Sequence, residues 1–232
     1  MKGVLLAATL PHVSISMDRA AALAELDGAR ISDLGAERGR RRHDGAGWRA
    51  RIAATGIQAL LAALEARDPY TRSHSEAVVD IAEAVCMQLG LDDRAVDEVR
   101  QVALLHDLGK IALPDHVLAG GGALDDRDWD VVRRHSDAGA RIVERVDGLS
   151  HLAPAIRAAH ERWDGRGYPD GLRAERIPLP SRVVAVCDAY DAMVSHRPYR
   201  RAMPRARALA EIARAAGTQF CPTCAGALPG AV

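Results

Sequence analysis

Val96 to Lys110 reads VDEVRQVALLHDLGK. Val96, Val99, Val102, Ala103 and Leu105 recur at helical spacing, so the stretch is an amphipathic helix. Its apolar stripe runs directly into His106 and Asp107. A carboxylate at the end of an apolar run needs a counter-charge once it is buried. A divalent metal supplies one. Lys110 is unusual in this chain: of 31 basic side chains 29 are Arg, and only Lys2 and Lys110 are Lys. The arginine bias reads as codon composition, and against it the single internal lysine stands out.

Working outward, Ile52, Ile57, Leu60, Leu61 and Leu64 mark one face of a helix that ends before Asp68-Pro69. Val78, Ile81, Ala82, Val85 and Leu89 mark the next, opened by His74 and closed by Gly90. After the Val96–Leu105 helix, Pro114 and Gly120-Gly121-Gly122 form a loop. Asp125 caps a fourth helix that carries Trp129, Val132, His135, Ile142, Val143 and Val146. A fifth runs from about Pro154 to Trp163 and holds His160 near its end. Ser181 caps a sixth, Val183 to Val194, with Asp188 and Asp191 at i and i+3 on one face. A seventh starts near Pro204 and ends at Gly217. No hairpin signal or strand–helix alternation interrupts the series. The expected fold is all-α, about seven helices packed as in other non-bundle helical domains. Residues 1–44 lack sustained periodicity and read as a poorly structured N-terminal extension, with residues 45–232 as the domain. The basic cluster Arg38 to His43 in that extension reads as a solvated face.

Composition narrows the function. The 31 basic and 31 acidic side chains cancel, which excludes a protein that coats nucleic acid non-specifically. With 48 % apolar and 27 % charged residues the chain is globular,. No apolar run reaches the ~18 residues of a membrane span. The short apolar start, Met1 to Leu10, lacks a nearby Ala-x-Ala site and reads as an ordinary extension. The cysteines, Cys86, Cys187, Cys221 and Cys224, show no disulfide framework, so a cytoplasmic setting is expected. Cys86 and Cys187 fall in apolar helical patterns and read as small buried hydrophobes. Cys221-Pro222-Thr223-Cys224 offers one pair of zinc ligands with no second pair nearby.

The histidines and carboxylates carry the chemistry. His74, His106, Asp107, His135, His160 and Asp188 sit at or in helices, and imidazole with carboxylate suits Mn, Fe, Zn or Ni. His12, His43, His116, His151 and His196 have no such context. At this point the sequence resembles a known family. His106-Asp107-Leu108-Gly109-Lys110 is similar to the His-Asp-x-Gly-Lys core of HD-domain phosphohydrolases. His160-Glu161-Arg162-Trp163-Asp164-Gly165-Arg166-Gly167-Tyr168-Pro169 resembles the signature of the HD-GYP subfamily. Asp68 to His74, Ile177-Pro178-Leu179, Val186 to Met193 and Arg197-Pro198-Tyr199-Arg200 fall in that subfamily's order and spacing.

The resemblance implies a metal-dependent phosphodiesterase that hydrolyses cyclic di-GMP to pGpG and on to GMP in bacterial second-messenger signalling. It implies His74, His106, Asp107 and Asp188 as ligands of a first divalent ion of the Fe or Mn type. Asp107 would bridge to a second ion held by His135 and His160. Lys110 joins Asp107 in the catalytic set, and Arg197, Arg200, Tyr168 and Asp191 are substrate-binding candidates. The Gly167-Tyr168-Pro169 loop would meet a signalling partner. Tyr190 and Tyr199 are candidates to stack on guanine or to pack with an outward hydroxyl, and Trp163 reads as a core anchor. Three positions depart from the family pattern: Ala159 stands where a second His is usual, Tyr70 where some members have a Glu, and Cys221 where an Asp is usual. Two other readings stay open: a cyclic-dinucleotide-binding signalling module with little or no activity, and a phosphohydrolase of another nucleotide.

Overall fold

The computed structural model describes residues 45–118, 125–196 and 201–232, without the side chains of 45–54, 69, 70 and 72. The described residues are helical, with no strand among them and one isolated bridge, between Ala216 and Phe220. In chain order the helices are α1 (Gly45–Arg67), α2 (Pro69–Leu89), α3 (Asp93–Leu105), α4 (Asp115–Leu118), α5 (Asp126–Arg133), α6 (His135–Val143), α7 (Ala153–Arg157), α8 (Leu179–Val194), α9 (Arg205–Ala215) and α10 (Pro222–Ala227). Short 3-10 turns occur at Leu108–Ala112, Ser150–Leu152, Ala174–Arg176 and Leu228–Gly230. None of the described helices is long and apolar enough to cross a membrane.

The core is built on α8. Val183, Val184, Val186 and Cys187 are fully buried and pack with Val78, Ala82 and Val85 of α2, Val99, Val102 and Leu105 of α3, and Ile156 of α7. A helix enclosed on most sides has little exposed face to spare for carboxylates. Asp188 and Asp191 therefore lie at its boundary with the site described below.

Local chemistry explains where the expected elements shift. α2 begins five residues before His74, because Pro69 takes the first-turn position where its missing N–H costs nothing,. The Thr71 hydroxyl closes that turn by donating to the Asp68 carboxylate. Asp125 caps α5 as expected, in a reciprocal pair of hydrogen bonds with Asp128,. The expected fourth helix is broken at Arg134, because the His135 Nδ1–H takes the carbonyl of Val132 at 2.5 Å, an acceptor a continuous helix would use. The fifth helix stops at Arg157, and His160 stands on a loop. That loop leaves the helical path because Trp163 and Asp164 donate their backbone N–H groups to Gln219 and Thr218. Ser181 does not cap α8, which already begins at Leu179; its hydroxyl donates to the Ala155 carbonyl at 2.7 Å and staples α8 to α7. α10 was not expected from the sequence pattern.

All four cysteines are buried free thiols. Burial raises Cys86 to about 11 and Cys224 to about 12, values suited to inert packing. Among the described residues, no group of three side chains that could hold a metal includes a cysteine.

Candidate metal centre

Side chains from α2, the end of α3, the start of α6, the loop after α7 and the middle of α8 converge. Two glycines permit this. Gly109 lets α6 approach the His106-Asp107 turn, because a Cβ there would strike the backbone of His135 and Gly139. Gly167 lets its loop fold back on Glu161 and Arg162: a Cβ would lie 2.3 Å from the Arg162 nitrogen.

His106 follows α3 as its C-cap and donates its Nδ1–H to Ala103 O at 2.8 Å. His135 is tied in the same way to Val132. These bonds fix the tautomers, leaving each Nε2 as a lone pair. Both Nε2 atoms lie 3.5 Å from the Asp107 carboxylate, and His160 Nε2 lies 3.8 Å from it. The Nε2 atoms of His106, His135 and His160 and Asp107 Oδ1 are buried without a hydrogen-bond partner. Buried acceptors facing one another are costly when unsatisfied. They are the donor set a divalent ion takes. The ligand atoms of His74, His106 and Asp107 lie within 4.8 Å of one another, and so do those of Asp107, His135 and His160. Asp107, 3 % exposed, belongs to both groups.

The electrostatics follow this layout. Burial opposes charge on His74, but its bonds to Asp188 (3.0 Å) and Asp191 (2.6 Å) outweigh that and raise it from 6.5 to about 9. Burial, with the neighbouring His160, lowers His135 to about 4. Burial would raise Asp188, but the His74 bond and the nearby imidazoles hold it at about 2. The Lys110 ammonium donates to Asp107 Oδ2 at 2.5 Å, and against the cost of burial this keeps the Asp107 carboxyl well below its usual range.

The loop after His160 is held rigidly. Glu161, buried, accepts the Asp170 N–H at 2.7 Å. Arg157 grips Asp170 through two bonds of 2.7 and 2.8 Å and reaches Asp137 on α6. Tyr168 is thereby stacked on His160, centroids 5.4 Å apart and planes 21° apart. Trp163 anchors the same loop, with Arg182 of α8 over its ring.

The structure thus brings His74, His106, Asp107, His135, His160, Asp188, Lys110 and Tyr168 together. Asp191 lies behind His74. That carboxylate is buried, and its oxygens accept from His74 Nδ1 and the Ser195 hydroxyl. Tyr190 is 2 % exposed and unable to stack on a base. Arg197, Tyr199 and Arg200 lie outside the described residues. Glu161 and Gly109 fell inside the quoted motifs without a role assigned to them, and the exposed face of α5 was not expected. Glu161 had a usable signal, a carboxylate directly after a candidate ligand.

Residues 58–224 match the HD domain family. A cyclic di-GMP phosphodiesterase response regulator of Xanthomonas campestris is 40 % identical over 174 residues, covering 74 % of this chain and 46 % of that protein. A cyclic di-GMP phosphodiesterase of Pseudomonas aeruginosa is 43 % identical over 154 residues, 66 % of this chain and 37 % of that protein. The chain spans less than half the length of these curated relatives. The crystal structure of a cyclic GMP-AMP specific phosphodiesterase of Vibrio cholerae superposes with a TM-score of 0.57 at 20 % identity, covering 77 % of this chain and 48 % of that one, a likeness of fold. The chain belongs to the HD-domain family. Within it, the motif running from His160 to Pro169 is that of the HD-GYP branch.

Proposed function

We propose that residues 45–232 form a metal-dependent phosphodiesterase that hydrolyses cyclic di-GMP to pGpG and on to GMP, acting in the cytoplasm in bacterial second-messenger signalling, with residues 1–44 as an appendage. The observation that carries this reading is Asp107, shared by two groups of buried donors whose lone pairs face one another. The relatives support it, being named as phosphodiesterases of cyclic dinucleotides.

His74, His106, Asp107 and Asp188 would hold one divalent ion, of the Fe or Mn type, and Asp107, His135 and His160 a second. When bound, such ions polarise phosphoryl oxygens and lower the pKa of bound water. Every other contribution comes from the chain. Asp191 fixes the ring of His74, as a carboxylate behind a ligating imidazole does. Tyr168 fixes the ring of His160. Lys110 brings an ammonium to the place where a phosphodiester gathers negative charge. Arg197 and Arg200, three apart in sequence, would clamp a phosphate by forked hydrogen bonds. The Gly167-Tyr168-Pro169 loop, rigidly held at the cavity edge, would present a surface to a signalling partner.

One observation favours a second reading, a module that binds without hydrolysis. Ala159 lines the cavity beside His160, where an imidazole would add a donor to the second group. One experiment separates the readings. Purified protein loaded with Mn(II) or Fe(II) is incubated with cyclic di-GMP, and products are resolved by chromatography. Formation of pGpG is the expected result. Binding without turnover in any divalent metal selects the module, and faster turnover of another nucleotide selects a different substrate.

A further inference from the structure

A cavity of about 510 Å³ opens outward from His160 and Asp188. Its lining includes Trp129 and Arg133 of α5, Arg166 and Tyr168 of the Gly167 loop, and Gln219. The sequence pattern put Trp129 on a core-facing stripe. In the structure no residue of α5 is buried, and Trp129 is 45 % exposed. α5 opens on a capping box, its Val131 and Val132 are half-buried, and the Trp129 indole stays exposed at the cavity. A large aromatic left half-exposed at a cavity lined also by arginines offers a flat apolar face to a ligand,. Arg133 lies one turn beyond Trp129, on the same side of the helix. Among the described residues its guanidinium pairs through one nitrogen, with Asp130 at 3.4 Å. The Arg166 backbone is pinned by the Asp164 carboxylate at 3.1 Å, and its side chain is exposed. Arg162, by contrast, is committed to Asp164 through two hydrogen bonds.

We propose that Trp129 is the stacking platform for one purine base of the substrate, and that Arg133 and Arg166 donate to the O6 and N7 edge of guanine. The outer cavity is then a guanine subsite, and this deepens the phosphodiesterase reading on which it rests. Guanine offers two acceptors along that edge, whereas adenine offers an amino donor that opposes a guanidinium. A cyclic dinucleotide with at least one guanine satisfies the subsite, and cyclic di-AMP does not.

The test is a binding titration of the metal-loaded full chain with cyclic di-GMP, cyclic GMP-AMP and cyclic di-AMP, followed by steady-state kinetics. The wild-type protein should bind both guanine-containing ligands at least about tenfold more tightly than cyclic di-AMP, the range expected of bidentate base readout. Trp129→Ala should raise Kd and KM for cyclic di-GMP about tenfold, as loss of a base–aromatic stack does. Trp129→Phe should recover most of that loss, and Arg133→Ala should erase most of the discrimination against adenine. Circular dichroism of each variant checks the fold. Unchanged Kd in Trp129→Ala, or equal affinity for cyclic di-AMP and cyclic di-GMP, overturns the subsite. Hydrolysis of bis(p-nitrophenyl) phosphate by the wild-type protein tests the metal centre separately. Its absence counts against the phosphodiesterase reading, while the titration still decides the subsite.

Discussion

A Cβ on Gly109 would lie 1.8 Å from the carbonyl oxygen of His135. The glycine after Leu108 is therefore what lets α6 press against the His106-Asp107 turn. That contact delivers His135 Nε2 to within 3.5 Å of the Asp107 carboxylate. Gly109→Ala must push the two backbones apart, since the obstruction is main chain and cannot rotate away. Overpacking of this kind costs about 1–3 kcal/mol. The expected outcome is a lower urea midpoint together with weaker binding of the second metal equivalent. A variant that keeps wild-type stability and metal affinity would show that α6 can retreat without cost.

Asp107 stands at the junction of the two donor groups. Asp107→Ala is expected to remove both metals, because each group loses its common member. Helicity should remain, since the core of α2, α3 and α8 does not include it. Elemental analysis of the purified variant should find metal near zero. Its melting temperature should no longer respond to a chelator, because ligand binding stabilises only a state that retains the site. One metal equivalent retained at wild-type affinity would remove Asp107 from the bridging role.

The sequence disclosed the chemistry of this site better than its geometry. His106, Asp107 and Lys110 were legible because an apolar helix runs into charged residues. Asp188 and Asp191 were legible as a pair but not in their separate roles: i and i+3 spacing places both on one face and does not say which lies deeper. The difference is tertiary, set by Ser195 and His74 Nδ1 occupying Asp191. The break before His135 was hidden because apolar periodicity continues across it, and a single side chain taking the Val132 carbonyl decides the matter. Trp129 was misplaced for a related reason. An apolar residue at helical spacing reads as core, yet α5 buries none of its residues.

Asp191 and His74 make a test of positioning against ligation. Asp191→Asn keeps the shape and loses the charge behind His74. Removal of such a partner typically weakens metal affinity about 10–100-fold. Activity of Asp191→Asn should therefore return as metal is raised to saturation, and His74→Ala should not recover. If Asp191→Asn instead raises KM for the nucleotide at saturating metal, the carboxylate contacts substrate and the assignment to His74 is wrong.

Ala159 offers the last test, because it is 2 % exposed yet lines the cavity beside His160. An imidazole there would add a nitrogen donor to a group that now has Asp107, His135 and His160. Ala159→His should tighten the second metal equivalent in a titration and leave the first unchanged, since His74 and His106 belong to the other group. The larger side chain at a buried position should cost about 1–3 kcal/mol in the metal-free protein. Stability is then expected to fall without metal and to recover when metal is added, a crossing that simple overpacking cannot produce. If stability falls equally in both conditions and the titration is unchanged, the added ring does not reach the donor group. The second position would then depend on the three residues already there.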